Sequence, residues 1–371
     1  MKILFVTPYP PITGGVSVFA KNTVDSLIKN GITVEVCMFK GIHTFKNLAT
    51  KIKSFSPDAI RIEYNFATYG GFTIPLFFFL YTLKIKYKYT IFTNFHEASR
   101  EAKMLGFIGI YINRFVTTLS DKISVHTLEA KASLVGKCGI SENKIKIVPL
   151  GTLNVNDSAT NINTLKTKFG ITTERYILFI GFIHVHKGIE YLIKAFAQFK
   201  QKSNESIQLV IGGGVRKRKG LFKYFEKKDI KYLNMLKAIT EEKGLTHNVV
   251  FTGYISDNDF SGLIKNAAVV VIPYTNTEQS GILNHVLPYN VPIIASNIGG
   301  LKETLETIGI LVEPRDENSI YSALVKVIQN DKFKNELVNN YHNLNIQLNS
   351  TLIAKIIAEY IGENIKSYNY S

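Results

Sequence analysis

The sequence predicts an α/β protein of two Rossmann-like domains, each with a doubly wound parallel sheet. Its 371 residues exceed the roughly 250 to 300 residues at which a single hydrophobic core stops growing. Short apolar runs alternate with segments of helical periodicity, which favours parallel strands joined by helices. This alternation stops at a polar stretch, Thr152 to Asn163, and then restarts. The polar stretch therefore predicts a linker between two similar halves.

The first half, residues 1–160, opens with a β-loop-α-β pattern. A strand is predicted at Lys2 to Val6, a Pro/Gly loop at Pro8 to Gly15, a helix ending near Asn30, and a strand at Thr33 to Met38. Further strands are predicted at 59–63, 89–94, 122–125 and 146–148.

The second half, residues 161–345, repeats this order. Strands are predicted at 176–180, 207–212, 249–252, 268–272, 291–295 and 309–312, with a helix at 188–200 after the first of them. In the last segment, residues 346–371, apolar side chains recur at helical spacing, so this helix must bury one face. Those side chains are Leu352, Ile353, Ile356, Ile357, Tyr360 and Ile361.

The charge is strongly basic and unevenly distributed. The net charge of +15 divides into +10 for residues 1–150, +9 for 151–250 and −4 for 251–371. Such an excess favours phosphate-bearing partners: a nucleotide diphosphate, an anionic membrane surface or nucleic acid. Nucleic acid is disfavoured because the sequence contains no helix-turn-helix, zinc-finger or RNP-type motif.

Several features predict a cytoplasmic protein. Cys37 and Cys138 show no metal-binding or disulfide spacing, so both are expected to be buried thiols. The chain runs from Met1 directly into an apolar strand, without a signal-like leader. The run from Phe72 to Leu83 is too short to span a bilayer, for which about 20 residues are needed. We expect a buried helix there; a helix dipping into a membrane surface is the second interpretation.

Two positions in the first half are candidates for ligand binding. Gly14 and Gly15 end the first loop at a helix start, where backbone N–H groups favour phosphate. The alternative is a tight turn, and neither a GxGxxG fingerprint nor a P-loop is present. His96 follows a predicted strand in Phe95-His96-Glu97, at an edge suited to hydrogen-bonding sugar hydroxyls. The alternative is a core histidine.

The second half contains two further candidate segments. Lys187 lies between a strand and a helix in the run from Ile180 to Gly188, and its ammonium group could bind a diphosphate, although a solvated lysine is the alternative. The run from Tyr274 to His285 predicts a helix start whose N–H groups face an anion. The side chains and glycines singled out in it are Glu278, Ser280, Gly281, Ile282, Leu283 and His285.

These motifs together resemble the retaining family 4 glycosyltransferases, which have the GT-B fold, over nearly the whole chain. The resemblance places Gly14, Gly15 and the run from Gly181 to Lys187 beside the donor diphosphate, and His96 beside the donor sugar. It places Tyr254 at the nucleotide base and Ser280 to Leu283 at the diphosphate. It also gives the segments ending at His126 and Thr152 a chiefly architectural role.

The chain departs from this family at three charged positions. The family's arginine before Lys187 is replaced by Phe182, and the basic run Arg216 to Lys219 contains the nearest substitutes. The family's paired glutamates fall on Thr277 and His285. Glu278 lies one residue from the first, and His285 could replace the second through a ring nitrogen. The sequence therefore resembles a Ser-Gly variant that lacks the paired-glutamate motif.

The resemblance implies a metal-independent, retaining transferase without a cofactor. It would move a sugar from a UDP- or GDP-sugar to a hydroxyl of a glycan or lipid-linked acceptor, in polysaccharide or glycoconjugate synthesis. The first domain would bind the acceptor, the second the nucleotide-sugar, and the last helix would pack back on the first domain beside an inter-domain cleft. Catalytic roles would fall to His96, Lys187 and Glu278. A non-catalytic nucleotide-sugar-binding subunit and a GT-B epimerase are the alternatives. Separately, the charge of the first domain and the apolar run from Phe72 to Leu83 suit a lipid-linked acceptor, so peripheral contact with the inner face of an anionic membrane is expected.

Overall fold

The computed structural model describes residues 1–12, 14–39, 41–153, 160–218 and 223–368. These residues form two compact units. The first contains the described residues up to 153 together with 347–368, and the second contains 160–346. The chain thus leaves the first unit and returns to it with its last helix.

The first unit is built on a six-stranded sheet in which every neighbouring pair is parallel. Its spatial order is β2-β1-β3-β4-β5-β6. The strands are β1 (Lys2–Thr7), β2 (Thr33–Met38), β3 (Ala59–Tyr64), β4 (Thr90–Phe95), β5 (Lys122–Val125) and β6 (Ile145–Ile147).

Helices cover both faces of this sheet. One face packs against α2 (His43–Phe55), α4 (Thr73–Tyr87), α6 (Phe107–Leu119) and α7 (Leu128–Cys138), with the short helices α3 (Phe66–Tyr69) and α5 (Ala98–Leu105) in the connections. The other face packs against α1 (Gly15–Lys29) and α16 (Ser350–Tyr368). In α16, Ile353, Ile357 and Tyr360 are buried, whereas Leu352 is exposed.

The second unit has a second parallel sheet, in the order β12-β11-β10-β7-β8-β9. Its strands are β7 (Arg175–Ile180), β8 (Ile207–Gly212), β9 (Val249–Gly253), β10 (Val269–Ile272), β11 (Ile293–Ser296) and β12 (Ile310–Val312). Its helices are α8 (Ile162–Phe169), α9 (Ile189–Lys202), α10 (Lys223–Glu242), α11 (Asp257–Lys265), α12 (Gly281–Val286), α13 (Gly299–Leu305), α14 (Glu317–Ile328) and α15 (Asp331–Gln347).

The predicted fold class is confirmed strand by strand. Each predicted strand is present, with ends displaced by no more than two residues. The central strands β1, β7 and β8 are buried on both faces, which explains their continuous apolar runs. The predicted buried thiols are also confirmed, because Cys37 and Cys138 are free and buried, and burial raises the pKa of Cys37 to about 11.

The prediction of a buried helix at Phe72 to Leu83 was wrong for one of its faces. In α4, Leu76, Phe77 and Leu80 are buried against the sheet. On the opposite side, Ile74 and Phe78 are 51% and 61% exposed. The helix lies outside the sheet, with α2 and α6 beside it, so only its inner face meets the core. Within the described residues, no helix is long and apolar enough to cross a membrane.

Candidate functional site

The carboxyl edge of the first sheet carries a buried network of charged and polar side chains. Glu63, near the end of β3, is fully buried and accepts a hydrogen bond from Arg61 Nε at 2.5 Å. Its other oxygen lies 2.9 Å from Nε2 of His96, which follows β4. Since a carboxylate only accepts, Nε2 carries the proton that His96 donates. Glu63 therefore fixes the orientation of the predicted His96 ring.

Asn94 and His126 extend this network across the next strands. The Asn94 amide donates to Glu63 at 2.6 Å and to Nε2 of His126 at 3.0 Å, and its oxygen accepts from Ser124 at 2.5 Å. Nδ1 of His126 donates to the Val148 carbonyl at 2.8 Å. Both ring nitrogens of His126 are thus engaged by the protein, which is consistent with the architectural role expected from the sequence.

The surroundings of Glu63 and His126 shift the pKa values of both side chains. Burial alone would raise the pKa of Glu63, but the charge of Arg61 and the hydrogen bond from His96 outweigh it and lower the pKa to about 2. Burial lowers the pKa of His126 to about 3. The carboxyl group is therefore ionised and His126 is neutral near pH 7.

The predicted Gly14-Gly15 turn is connected to this network through α1. Gly14 has φ +148° and is the residue before α1, whose first residue is Gly15. One turn further along, the ring of Phe19 packs edge-on against His96 at 5.1 Å and His126 at 5.3 Å between ring centroids. The helix start and the histidines thus share one edge of the sheet.

The carboxyl edge of the second sheet is built mainly from backbone. Gly181 follows β7 and has φ +130°. A Cβ on Gly181 would lie 3.4 Å from the side chain of Ile282 in α12. The Gly181 N–H donates to the Gly212 carbonyl at 2.8 Å. A Cβ on Gly213 would lie 2.0 Å from the Gly181 carbonyl oxygen. The loops after β7 and β8 therefore approach as closely as glycines allow.

Lys187 lies on the neighbouring loop, where its position is fixed by contacts on two sides. Its Nζ lies 3.6 Å from the centroid of the Tyr274 ring, a cation–π contact. In the same turn, the His186 carbonyl accepts a hydrogen bond from the Thr275 N–H at 2.9 Å. A Cβ on Gly188 would lie 2.1 Å from the Pro273 carbonyl. The half-buried lysine is thus held at the end of β10.

The predicted helix start at Ser280 is present as the short helix α12. Ser280 Oγ accepts a hydrogen bond from Leu283 N at 3.3 Å, so the serine caps the helix. Around the Cα of Gly281 there is open space. His285 packs edge-on against Phe260 of α11, and burial lowers its pKa to about 4. The Leu283 N–H is therefore used within the protein, and His285 is a neutral ring near pH 7.

Glu278 and Tyr254 differ in their surroundings. Glu278 is buried, and its carbonyl accepts a hydrogen bond from Gly300 N at 2.8 Å, which ties this segment to the start of α13. Tyr254 follows β9 and its residue is 83% exposed. Its backbone nitrogen lies 3.4 Å from where a Cβ on Gly214 would be. Tyr254 is thus adjacent to the loop after β8 through its main chain.

Two arginines of the basic run after β8 contact different parts of the second unit. The Arg216 guanidinium lies over the ring of Phe182, 5.9 Å from its centroid. Arg218 instead forms an ion pair with Asp229 of α10 at 2.6 Å. Lys219, the last residue of this run, lies outside the described residues. Of the described residues in the run, Arg216 is therefore the one that contacts the position where the family has its arginine.

Comparisons with known proteins agree with this architecture. Residues 161–343, nearly all of the second unit, match the family model described as "Glycosyl transferases group 1". The solved structure of Anabaena HepE in complex with UDP superposes with a TM-score of 0.75, covering 98% of this chain and 100% of that one at 15% identity. The fold is GT-B.

Curated relatives are more similar in sequence than HepE but are matched only in part. An uncharacterised glycosyltransferase of Methanocaldococcus jannaschii is 27% identical over 54% of this chain and 48% of its own length. The alpha-D-kanosaminyltransferase of Streptomyces kanamyceticus is 23% identical over 47% of this chain and 42% of its own length. The alignments span about half the length of these relatives. The family model and both relatives are thus described as glycosyltransferases, and each matches about half of this chain.

Sequence reasoning missed most of the buried network. It selected His96 but not Arg61, Glu63 or Asn94, which lie on strands that it predicted correctly. The signal was the pair of charged residues inside the apolar run of β3, because a charge in a strand buried on both faces needs a partner. Within the described residues, no cluster of three or more His, Cys, Asp or Glu is placed to hold a metal ion.

Proposed function

We propose that this chain is a retaining, metal-independent glycosyltransferase that moves a sugar from a UDP- or GDP-sugar to a hydroxyl of a glycan or lipid-linked acceptor. The first unit would bind the acceptor and the second the nucleotide-sugar. The similar HepE structure is a complex with UDP, which favours a uridine nucleotide. Polysaccharide or glycoconjugate synthesis is the process that such an activity would serve.

One observation carries this proposal: five loops at the carboxyl edge of the second sheet are joined side by side through their backbones. The loop after β11 contacts that after β10, which contacts the loop after β7, then β8, then β9. The carboxyl edge is where open parallel sheets bind ligands. Glycines at the closest approaches let neighbouring loops pack backbone against backbone, so in this proposal the edge offers mainly backbone groups to a ligand.

The charges at this edge suit a departing nucleoside diphosphate. Lys187 provides a cation whose position is fixed by Tyr274, and Arg216 over Phe182 provides a second. A preorganised cation stabilises negative charge that develops in the transition state. In this proposal Arg216 takes the part of the family's missing arginine, and the N-terminus of α12 contacts the same anion.

The reaction would proceed on one face of the sugar. The bond between the anomeric carbon and the diphosphate oxygen breaks, and the acceptor oxygen bonds to that carbon from the same side. The acceptor proton passes to the departing diphosphate, so no separate carboxylate nucleophile is required. Glu278 would contact the donor sugar, His285 the ribose and Tyr254 the base.

His96 would hold the transferred sugar in this reaction. Its ring is oriented by the hydrogen bond to Glu63 and by the edge of Phe19. Such fixed orientation is what a positioning group requires, because a small misplacement costs a large factor in rate.

Nucleotide release tests the proposal. Purified protein is first screened with UDP- and GDP-sugars by thermal shift, since a bound ligand raises the apparent stability. Release of UDP or GDP is then measured with a pool of glycan and lipid-linked acceptors, and the product anomer is determined by NMR. Lys187→Ala should lower turnover by about 10² to 10³, the usual effect of losing one charge-stabilising group. Lys194→Ala is the matched control, because Lys194 is also half-buried and lies over a tyrosine ring.

A non-catalytic nucleotide-sugar-binding protein is the second candidate. It is favoured by Phe182, Thr277 and His285, which occupy positions where the resembled family has charged residues. Donor binding without release of nucleotide, unchanged by Lys187→Ala, would support this candidate against the transferase. Free sugar isomers formed without any acceptor would instead indicate an epimerase.

A further inference from the structure

One face of the first unit combines exposed apolar side chains with an excess of positive charge. Three of the helices on this face, α2, α4 and α6, contain six Lys or Arg residues and no Asp or Glu, whereas the fourth, α7, contains two lysines and Glu129. The six are Lys46, Lys51, Lys53, Lys84, Lys86 and Arg114. On the opposite face, α1 and α16 are nearly neutral, because they contain four lysines together with Asp25, Glu359 and Glu363. The two faces of one sheet therefore differ in charge.

Part of this positive charge is directed outward. Lys51 pairs with Glu35 and Lys84 with Asp121. The side chains of Lys46, Lys53, Lys86 and Arg114 are exposed. Four cations spread over three neighbouring helices form a surface that attracts anions at long range.

The exposed apolar residues are concentrated at one end of these helices. Each helix follows a parallel strand, so all three begin near the carboxyl edge of the sheet and run back along it. Eight large exposed residues lie at or near these helix starts, and we refer to them as the apolar edge; two others, Tyr81 and Ile85, lie further along α4. The eight are Ile42, Phe72, Ile74, Phe78, Met104, Phe107, Ile108 and Tyr111.

Several residues of the apolar edge are neighbours on the surface. Phe107 is 82% exposed and lies beside Ile108 and Tyr111 on the first turns of α6. Ile74 and Phe78 project from the first turns of α4, which packs against α6. Contiguous exposed apolar surface of this kind usually marks an interaction site.

We propose that the face formed by α2, α4 and α6 docks on an anionic lipid bilayer, with the apolar edge inserted at the headgroup boundary. Aromatic and aliphatic side chains enter this boundary, while Lys46 and Arg114, one to two helical turns away, extend to lipid phosphates. The absence of acidic residues from all three helices favours a uniformly anionic partner, since each Lys or Arg near such a surface contributes attraction.

Docking in this way has a consequence for the acceptor. The apolar edge lies at the same edge of the sheet as His96 and Glu63, so a docked bilayer would present a lipid-linked acceptor beside that network. This consequence rests on the proposed function, whereas docking itself does not. Vesicle binding therefore tests the surface even if the protein transfers no sugar.

Flotation with vesicles tests the proposal on the full chain. We expect binding to phosphatidylcholine vesicles that contain phosphatidylglycerol, weak binding to phosphatidylcholine alone, and release at about 1 M salt, where the Debye length is about 3 Å. The double substitution Phe107→Ser with Ile108→Ser should weaken binding at least about tenfold, because two apolar side chains are no longer buried in lipid. Lys46→Ser, which removes an exposed cation one helical turn from Ile42, should weaken it about fivefold.

Matched controls lie on the opposite face. Ile28→Ser on α1 and Lys355→Ser on α16 make the same kinds of change at exposed positions, and both should leave vesicle affinity unchanged. The proposal is overturned if the protein does not bind anionic vesicles, or if the controls weaken binding as much as the test variants. It is also overturned if the Phe107/Ile108 variant changes only self-association, which would assign the face to a second copy of the chain.

Discussion

The two sheets end in different kinds of carboxyl edge. In the first unit the edge is a network of buried side chains around Glu63, in which a charge is balanced by Arg61 and shared with His96. In the second unit the edge is made of glycines whose loops touch through the backbone. The first arrangement orients a side chain, and the second joins neighbouring loops backbone to backbone. One architecture, used twice, therefore provides a buried side-chain network in one unit and closely packed backbone loops in the other.

The largest expected effect comes from the buried charge pair of the first edge. Glu63→Gln should lower the free energy of unfolding of the first unit by about 3 to 5 kcal/mol, because it leaves the Arg61 guanidinium buried without a counter-charge. Calorimetry, with the two units followed separately, measures this change.

The control is the double variant Arg61→Met with Glu63→Gln, which removes both charges. Arg61 lies between the rings of Phe5 and Phe92, so a methionine keeps apolar contacts there. We expect the double variant to be more stable than Glu63→Gln alone. If the two variants are equally unstable, the ion pair is not the source of the effect.

The next largest effect on the free energy of unfolding is expected at Gly213, at the carboxyl edge of the second sheet. Gly213→Ala places a Cβ 2.0 Å from the Gly181 carbonyl oxygen at a residue with φ +137°. The loops must separate, and the unfolding free energy of the second unit should fall by about 3 kcal/mol. Gly281→Ala is the control, because its Cβ would enter open space. A comparable loss in both variants would contradict the close approach.

The pH dependence of the first unit should follow His126. Its pKa is about 3 in the folded protein and about 6.5 when unfolded, so the unfolded state binds more protons as the pH falls below 6.5. The contribution of His126 to unfolding free energy should therefore drop by about 2 kcal/mol between pH 8 and pH 5. Glu63, with a folded pKa of about 2, loses its stabilising contribution only at lower pH, from about 4.3 downward.

Chemical denaturation at pH 8 and pH 5 measures this slope. His126→Asn should lower stability at pH 8, where two hydrogen bonds are lost, yet flatten the pH dependence. His285→Asn is the counterpart in the second unit, where the folded pKa is about 4. A pH dependence of the first unit that His126→Asn leaves unchanged would show that other groups are responsible.

The architecture was predictable because its signals are local. Apolar runs fixed the strands, and glycines such as Gly181 and Gly213 marked the loops at which strands end. The candidate residues of the second unit were found for the same reason, since Lys187 and Ser280 lie in short motifs between a strand and a helix. Their binding and catalytic roles stay predictions.

The buried network was not predictable, because its parts come from distant segments. Arg61 contacts Phe92, Phe92 packs against Tyr360 of α16, and α16 covers this face of the sheet from the far end of the chain. A charged residue in a strand gives no sign of which helix will cover it. Nor did the apolar run of α4 show which of its faces the core would leave exposed.

The sequence by itself determined two parallel α/β sheets and the loops at their carboxyl edges, since strand periodicity and glycine positions act within a few residues. Only the tertiary structure decided that Arg61 and Glu63 are buried as a pair, that Asn94 joins them to His126, and that α4 and α6 present an apolar edge. These features depend on which surfaces meet, and burial of a charge or exposure of a phenylalanine is a property of the packed chain.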